Sequence, residues 1–268
     1  MNRIAALLAK EFVDLRQNPG VFVPALLVGL STATVPFMVA ILIPALTGER
    51  LSDSSDFQIA LEVWGAQPAL RDLSPEGAVQ AWVFQQFLIF VVGLTPVMGT
   101  MAAAAQSIVG EKQARTLEPL LATPLRTAEL LASKVLSAAA LGGAITVSCF
   151  TVYAVGVAIL AEPGVAGALF TPASLLLAFV LCPLVMLVAL QLAVCASARA
   201  NDARGAQQIA ALVVLPLTGV MVAQLFGALL LTPSLLAGAG VVLVIINAVL
   251  LRVSVALFDR ETILTRWR

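Results

Sequence analysis

The sequence predicts an all-α membrane protein: six transmembrane helices preceded by an amphipathic interfacial helix, with a short cytoplasmic helix between spans 2 and 3. Three observations predict it. Of the 268 residues, 60% are hydrophobic and only 11% charged, with a mean hydropathy of +1.02. A soluble globular domain is about 45–50% apolar and about 25% charged, so this chain has more apolar surface than one core can hide. Six charge-free runs each approach or exceed the roughly 20 residues that a spanning helix needs. The charges that remain are gathered in the segments between those runs.

The first element is the interfacial helix, residues 1–19. Ile4, Leu7, Leu8, Phe12 and Leu15 recur at helical spacing, with Arg3, Lys10, Asp14 and Gln17 off that stripe. Asn18-Pro19 ends it. Lys10, Glu11, Asp14 and Arg16 stand where a secretory signal would carry its apolar core. The expectation is a helix lying in the headgroup layer.

Spans are expected at 21–46, 82–107, 135–161, 173–198, 208–231 and 235–258, the last charge-free as far as Leu251. Pro24, Pro36 and Pro44 mark the first as kinked, and Pro96, Pro183 and Pro216 are kink candidates in later spans. Only Thr232 to Ser234 separate spans 5 and 6. That is tight for two full crossings, so the pair either crosses or partly re-enters, and re-entrant backbone needs protein or a cavity to satisfy it. Residues 47–81 form the one sizeable outer loop, acidic on balance. Ser74 as N-cap and Pro75 at the first helical position start the helix that feeds span 2. Trp64 and Trp82 suit an interfacial belt. The loop reads equally as an outer gate, a docking ledge or a solvated connection.

Orientation follows from charge. With the N-terminus inside, the inner segments hold 13 of the 15 Lys and Arg, and the outer ones only Arg50 and Arg71. The positive-inside rule then places both termini in the cytoplasm of a multi-pass protein, expected in the cell inner (plasma) membrane.

Composition also narrows function. Net charge is zero, which suggests no nucleic-acid partner. There is no histidine, and Cys149, Cys182 and Cys195 lie far apart inside apolar runs, so neither a metal site nor a disulfide framework is expected. No catalytic group is identified. The charge-free runs lack the intramembrane Asp, Glu, Lys or Arg that mark ion and proton pathways. The polar residues inside them include Gln85, Gln86, Gln191, Gln224 and Asn247. Gln191, Gln224 and Asn247 are candidates for a weakly polar substrate path; the competing reading is hydrogen bonding between helices. Gly99 with Ala103, and Ala138 with Gly142, suit close helix contact within the chain or between two copies.

The most informative stretch is Gly110–Thr127, GEKQARTLEPLLATPLRT, on the inner side between spans 2 and 3. Thr116 can cap a short helix that tolerates Pro119 in its first turn and ends near Ala122, because Pro124 disfavours helix at Thr123. Thr127 then caps a new helix running through Lys134 into span 3. The short helix shows Leu117, Leu120 and Leu121, ringed by Glu111, Arg115 and Glu118. Leucines on an inner loop call for a cover, either the bilayer surface or a groove in a soluble partner.

Residues 110–134 resemble the loop after the second span of type 2 ATP-binding-cassette (ABC) transporter permeases, with Glu111, Thr116, Leu117, Glu118, Leu120, Leu121, Pro124 and Lys134 matching in order. The helix ending in Asn-Pro, the six spans and the single larger outer loop match in layout. The resemblance implies a permease subunit of an exporter. It implies pairing with a second permease copy, identical or paralogous, and with cytoplasmic ATP-binding subunits. The loop would be the coupling helix, its leucines seated in an ATPase groove and Glu111, Arg115, Thr116, Glu118 and Pro124 around them. The N-terminal helix would also touch the ATPase. No phosphate-binding GxxxxGK[ST] motif occurs here, so ATP and magnesium would sit on the partner and this chain would bind no cofactor. Two other classes stay open on the residues alone. A secondary carrier predicts inverted repeats and intramembrane charges. A membrane scaffold predicts a cytoplasmic partner without transport.

Overall fold

Among the described residues, six helices are long and apolar enough to cross a membrane: Val23–Thr47, Pro75–Glu111, Glu129–Leu160, Pro172–Ser197, Gln207–Gln224 and Pro233–Leu257. The computed structural model describes residues 7–13, 19–54, 57, 70–113, 127–197, 203–225 and 232–257, and every regular element among them is helical. The helices are numbered here as spans 1 to 6. Residues 7–13 form a helix ahead of span 1.

Span 2 is the centre of the bundle. It packs against spans 1, 3, 4 and 5, while span 4 also packs against spans 3, 5 and 6. In its most apolar stretch, 72% of span 2 is buried, against 12% of span 5 and 11% of span 6. The outer spans turn Leu27, Val147, Ile159, Leu215, Val241 and Ile245 outward. A soluble protein rarely shows such a girdle, and here it matches a hydrocarbon solvent or a second copy.

Two apolar cores stack along the bundle. Phe37, Phe84 and Tyr153 anchor the one nearer residues 47–81, with ring centroids 5.0–5.9 Å apart. The buried Tyr153 hydroxyl donates to the Phe84 carbonyl at 2.7 Å, which removes the penalty of a bare hydroxyl in an apolar core. Val97, Met101, Leu131 and Leu190 form the second core. Spans 2 and 3 need small residues to meet. A Cβ at Gly142 would stand 2.1 Å from Thr100 Cγ2 and 2.6 Å from Met186 Sδ, and one at Gly99 would stand 3.1 Å from Ile145 Cδ1 of span 3 and 3.0 Å from Ala25 Cβ of span 1. Both glycines therefore serve contacts within the chain.

Three spans share a device that the prolines hinted at. Widened π-turns occupy Met38–Leu42, Phe90–Leu94 and Leu177–Leu181. One residue intervenes, then comes Pro44, Pro96 or Pro183. A proline ring clashes with the carbonyl four residues back and offers no N–H, and an extra residue in that turn relieves the clash. In span 5 a 3-10 turn, Ala211–Val213, lies in the corresponding place before Pro216. The π-turn of span 2 faces the residue that follows the π-turn of span 4: a Cβ at Gly93 would be 3.3 Å from Cys182 Sγ.

At the end near residues 47–81, Gly48 closes span 1 in a left-handed conformation, its N–H reaching the Pro44 carbonyl at 2.9 Å. Ser74 caps the next helix, its hydroxyl accepting from Gly77 N, with Pro75 at the first position. The Glu76 carboxylate accepts from the backbone of Leu51 and Ser52. A short helix, Val165–Leu169, links spans 3 and 4 and docks on Pro75–Ile89. Gln85 donates to the Ala168 carbonyl at 2.8 Å, Glu162 N donates to Gln80 Oε1 at 3.0 Å, and the Ser74 hydroxyl donates to the Glu162 carboxylate. Thr232 caps span 6, its hydroxyl accepting from Leu235 N. Trp64, the short helix expected within 110–127 and the re-entrant question at residues 226–231 fall outside the described residues.

Candidate functional site

Spans 2 and 3 are the longest, 37 and 32 residues. At about 1.5 Å per residue, span 2 runs to roughly 55 Å, well beyond the ~30 Å hydrocarbon core. Span 2 continues past its charge-free stretch at both ends, back to Pro75 and on to Gln113, and the span 3 helix begins at Thr127, ahead of its own charge-free stretch. The loop expected to carry the coupling helix thus hangs on two helical legs.

The legs are joined by charge. Lys134, only 2% exposed, donates from Nζ to Glu11 Oε1 at 3.0 Å and to the Ser107 carbonyl at 2.9 Å. Glu111 Oε2 lies 3.0 Å from the same nitrogen, an ion pair set off the hydrogen-bond axis. Lys10 pairs with the other oxygen of Glu111. Among the described residues, two cations and two carboxylates therefore form a cluster drawn from three elements: the helix at 7–13, the end of span 2 and the start of span 3. Burying an ammonium costs several kcal/mol even after relaxation, unless its donors meet acceptors and its charge meets opposite charge. Lys134 has three donors and three oxygens close around it.

Glu11 is 5% exposed, whereas Phe12 and Val13 are 49% and 52% exposed. The described part of the N-terminal helix buries the Glu11 carboxylate, half-buries Leu7 and Leu8, and exposes Phe12 and Val13. The apolar stripe expected there gave no hint of this. The signal available was Lys134, a charge two turns into a helix that feeds an apolar run, opposite Glu111 across the loop.

Of the expected loop contacts, Glu111 is in this cluster; Arg115, Thr116, Leu117, Glu118, Leu120, Leu121 and Pro124 lie outside the described residues. Beside the cluster is an open cavity of about 340 Å³. It is lined by Gly20, Pro24, Ala25 and Val28 of span 1, by Thr95, Met98, Ala102 and Gln106 of span 2, and by Gln207 of span 5. Among the described residues its walls hold no charged side chain, and its far end is Thr95, next to the span 2 π-turn.

Gln191, Gln224 and Asn247 do not line that cavity. Gln191 and Asn247 meet between spans 4 and 6: Gln191 Nε2 donates to Asn247 Oδ1 at 2.6 Å, and Asn247 Nδ2 donates to the Leu184 and Leu243 carbonyls. Cys195 and Ser254 continue the polar seam, one turn on in span 4 and two turns on in span 6. Gln224 is buried in span 5 with no partner for Oε1 among the described residues. No group of three or more His, Cys, Asp or Glu suited to a metal occurs among the described residues.

The bundle, its apolar girdle and its polar loop end define a multi-pass membrane protein. Residues 5–262 match the family profile described as ABC-2 family transporter protein. The chain belongs to that family and is a membrane permease component of an ABC transporter, a transport subunit whose relatives typically work with ATP-binding subunits. No curated protein matches the chain.

Proposed function

We propose that this chain is the membrane-spanning half of an ATP-driven exporter, coupled through residues 110–127 to ATP-binding subunits in the cytoplasm. The observation that carries the reading is the pair of long legs locked together by Lys134 immediately behind that loop. A loop on rigid legs transmits a push, whereas one on flexible tethers absorbs it. Leu117, Leu120 and Leu121 would fill a groove on the ATPase, with Arg115, Thr116, Glu118 and Pro124 shaping the contact and Glu111 at its base. ATP and magnesium would be held by that partner. The distribution of Lys and Arg supports cytoplasmic termini in the plasma membrane, and the bare faces of the outer spans support pairing with a second permease copy.

The uncharged cavity between spans 1, 2 and 5 is the proposed entry for an uncharged or amphipathic substrate. Gln191, Gln224 and Asn247 are the proposed weakly polar positions further along the path. The test is a mild-detergent pull-down of the chain from its native membrane, with mass spectrometry and an ATPase assay. A stoichiometric ATPase that turns over ATP supports the reading. A chain recovered alone, or with partners that hydrolyse nothing, replaces it with the scaffold or carrier reading.

A further inference from the structure

We infer that Lys134 is a positioning residue: by holding Glu11 and Glu111 together, it makes the N-terminal helix and the base of the loop move as one body. The inference rests on the reading of that loop as the ATPase contact and adds a second moving part to it.

Three facts carry it. The cluster joins elements far apart in the chain, with Glu11 and Lys134 separated by 123 positions. Its Lys134 pairs are shielded from water, at 2%, 6% and 12% side-chain exposure for Lys134, Glu11 and Glu111, and act undiluted by solvent, whereas Lys10 at 41% lies at the exposed edge. The rest of the described helix is held less tightly: Lys10 pairs with Glu111 at 41% exposure, Leu7 and Leu8 are half-buried, and Phe12 and Val13 face outward. A helix fixed by an apolar stripe can slide or roll at small cost, since apolar contact is not directional. A helix fixed by a buried carboxylate on a two-carboxylate lysine cannot leave without stranding charge. Displacement of the loop therefore reaches the N-terminal helix through Lys134, and the helix returns any load placed on it by the same route.

The experiment is hydrogen exchange on the complete permease–ATPase complex in lipid nanodiscs, nucleotide-free and trapped with ATP and vanadate. It compares amides 7–13 with amides 107–113 in the unmodified chain, Lys134→Met, Lys134→Arg and Glu11→Gln. In the unmodified chain both segments are expected to change protection together on trapping. In Lys134→Met and Glu11→Gln, each combined with Lys10→Met so that the Lys10–Glu111 pair does not carry the motion instead, the response of 7–13 is expected to vanish while 107–113 still responds and the ATPase still co-purifies; Lys134→Arg in the same background keeps it. Loss of stability alone would not abolish a nucleotide response in one segment and spare the other. Glu11→Gln leaves spans 2 and 3 untouched and decides the matter if Lys134→Met fails to accumulate. A response of 7–13 that survives both neutral variants, or is missing from the unmodified chain, overturns the inference. An unmodified chain that retains no ATPase overturns the reading of the loop, and the inference with it.

Discussion

Lys134 and Glu11 lie 3.0 Å apart, the ammonium of one span and the carboxylate of a helix at the other end of the sequence joined in a site closed to water. Removing the cation strands the buried Glu11 carboxylate and leaves Glu111 to Lys10 at the exposed edge of the cluster. Lys134→Met is therefore expected to cost about 3–5 kcal/mol of stability, the range for breaking a buried pair from one side. Thermal unfolding in detergent measures it, with Lys134→Arg as the charge-preserving control. Equal midpoints for Met and Arg would show that the cluster contributes no net stability.

The loop makes a different prediction. Leu120→Asp combined with Leu121→Asp is expected to leave the spans inserted and folded but to release the ATPase, because two carboxylates cannot enter an apolar groove without partners. Co-purification of the two chains reads the outcome. An ATPase retained at full stoichiometry sinks the coupling-helix assignment.

Helix approach at Gly142 is testable with an adjacent control. Gly142→Ala places a methyl on Thr100 Cγ2 and Met186 Sδ, whereas a Cβ at Gly143 meets nothing within 4 Å. Overpacking of this kind costs about 1–3 kcal/mol. Gly143→Ala is expected to be neutral, and Thr100→Ser, which deletes the clashing methyl, is expected to recover part of the loss. Indistinguishable unfolding curves for the two alanine variants would refute the packing described at Gly142.

The polar seam between spans 4 and 6 separates two roles for Gln191 and Asn247. As an interhelical hydrogen bond, the pair is expected to show a coupling energy of about 0.6 kcal/mol, and no more than about 1.7, in a double-mutant cycle with Gln191→Leu and Asn247→Leu. As stations on a substrate path, the same changes alter substrate-stimulated ATP hydrolysis in the reconstituted complex. A cycle with zero coupling and altered stimulation would assign them to the path.

Much of the fold was readable from the chain because a bilayer imposes long, uninterrupted apolar segments that few other environments require. The charge-free runs locate all six helices. Ser74 and Pro75 start span 2 as their cap chemistry requires. The prolines at 44, 96 and 183 marked where the helices depart from regularity, but not the form taken: a kink and a π-turn both relieve the same clash, and neighbouring helices choose between them. The docking of Val165–Leu169 on span 2 was invisible, since its side chains are ordinary for any loop near a membrane. Glu11 was hidden for the same reason: a charged residue on an amphipathic helix reads as a solvated one.

By itself the sequence determined that this is a six-span helical membrane protein with a charged, leucine-bearing loop between spans 2 and 3. Those features follow from composition and local chemistry, which every residue carries with it. Only the tertiary structure decided that span 2 is the centre, that Gly142 serves a contact inside the chain, and that Lys134 ties Glu11 to Glu111. Each of these depends on residues tens of positions apart being brought within a few ångströms. The energy of a buried charge lies in its partners, and local sequence does not name them.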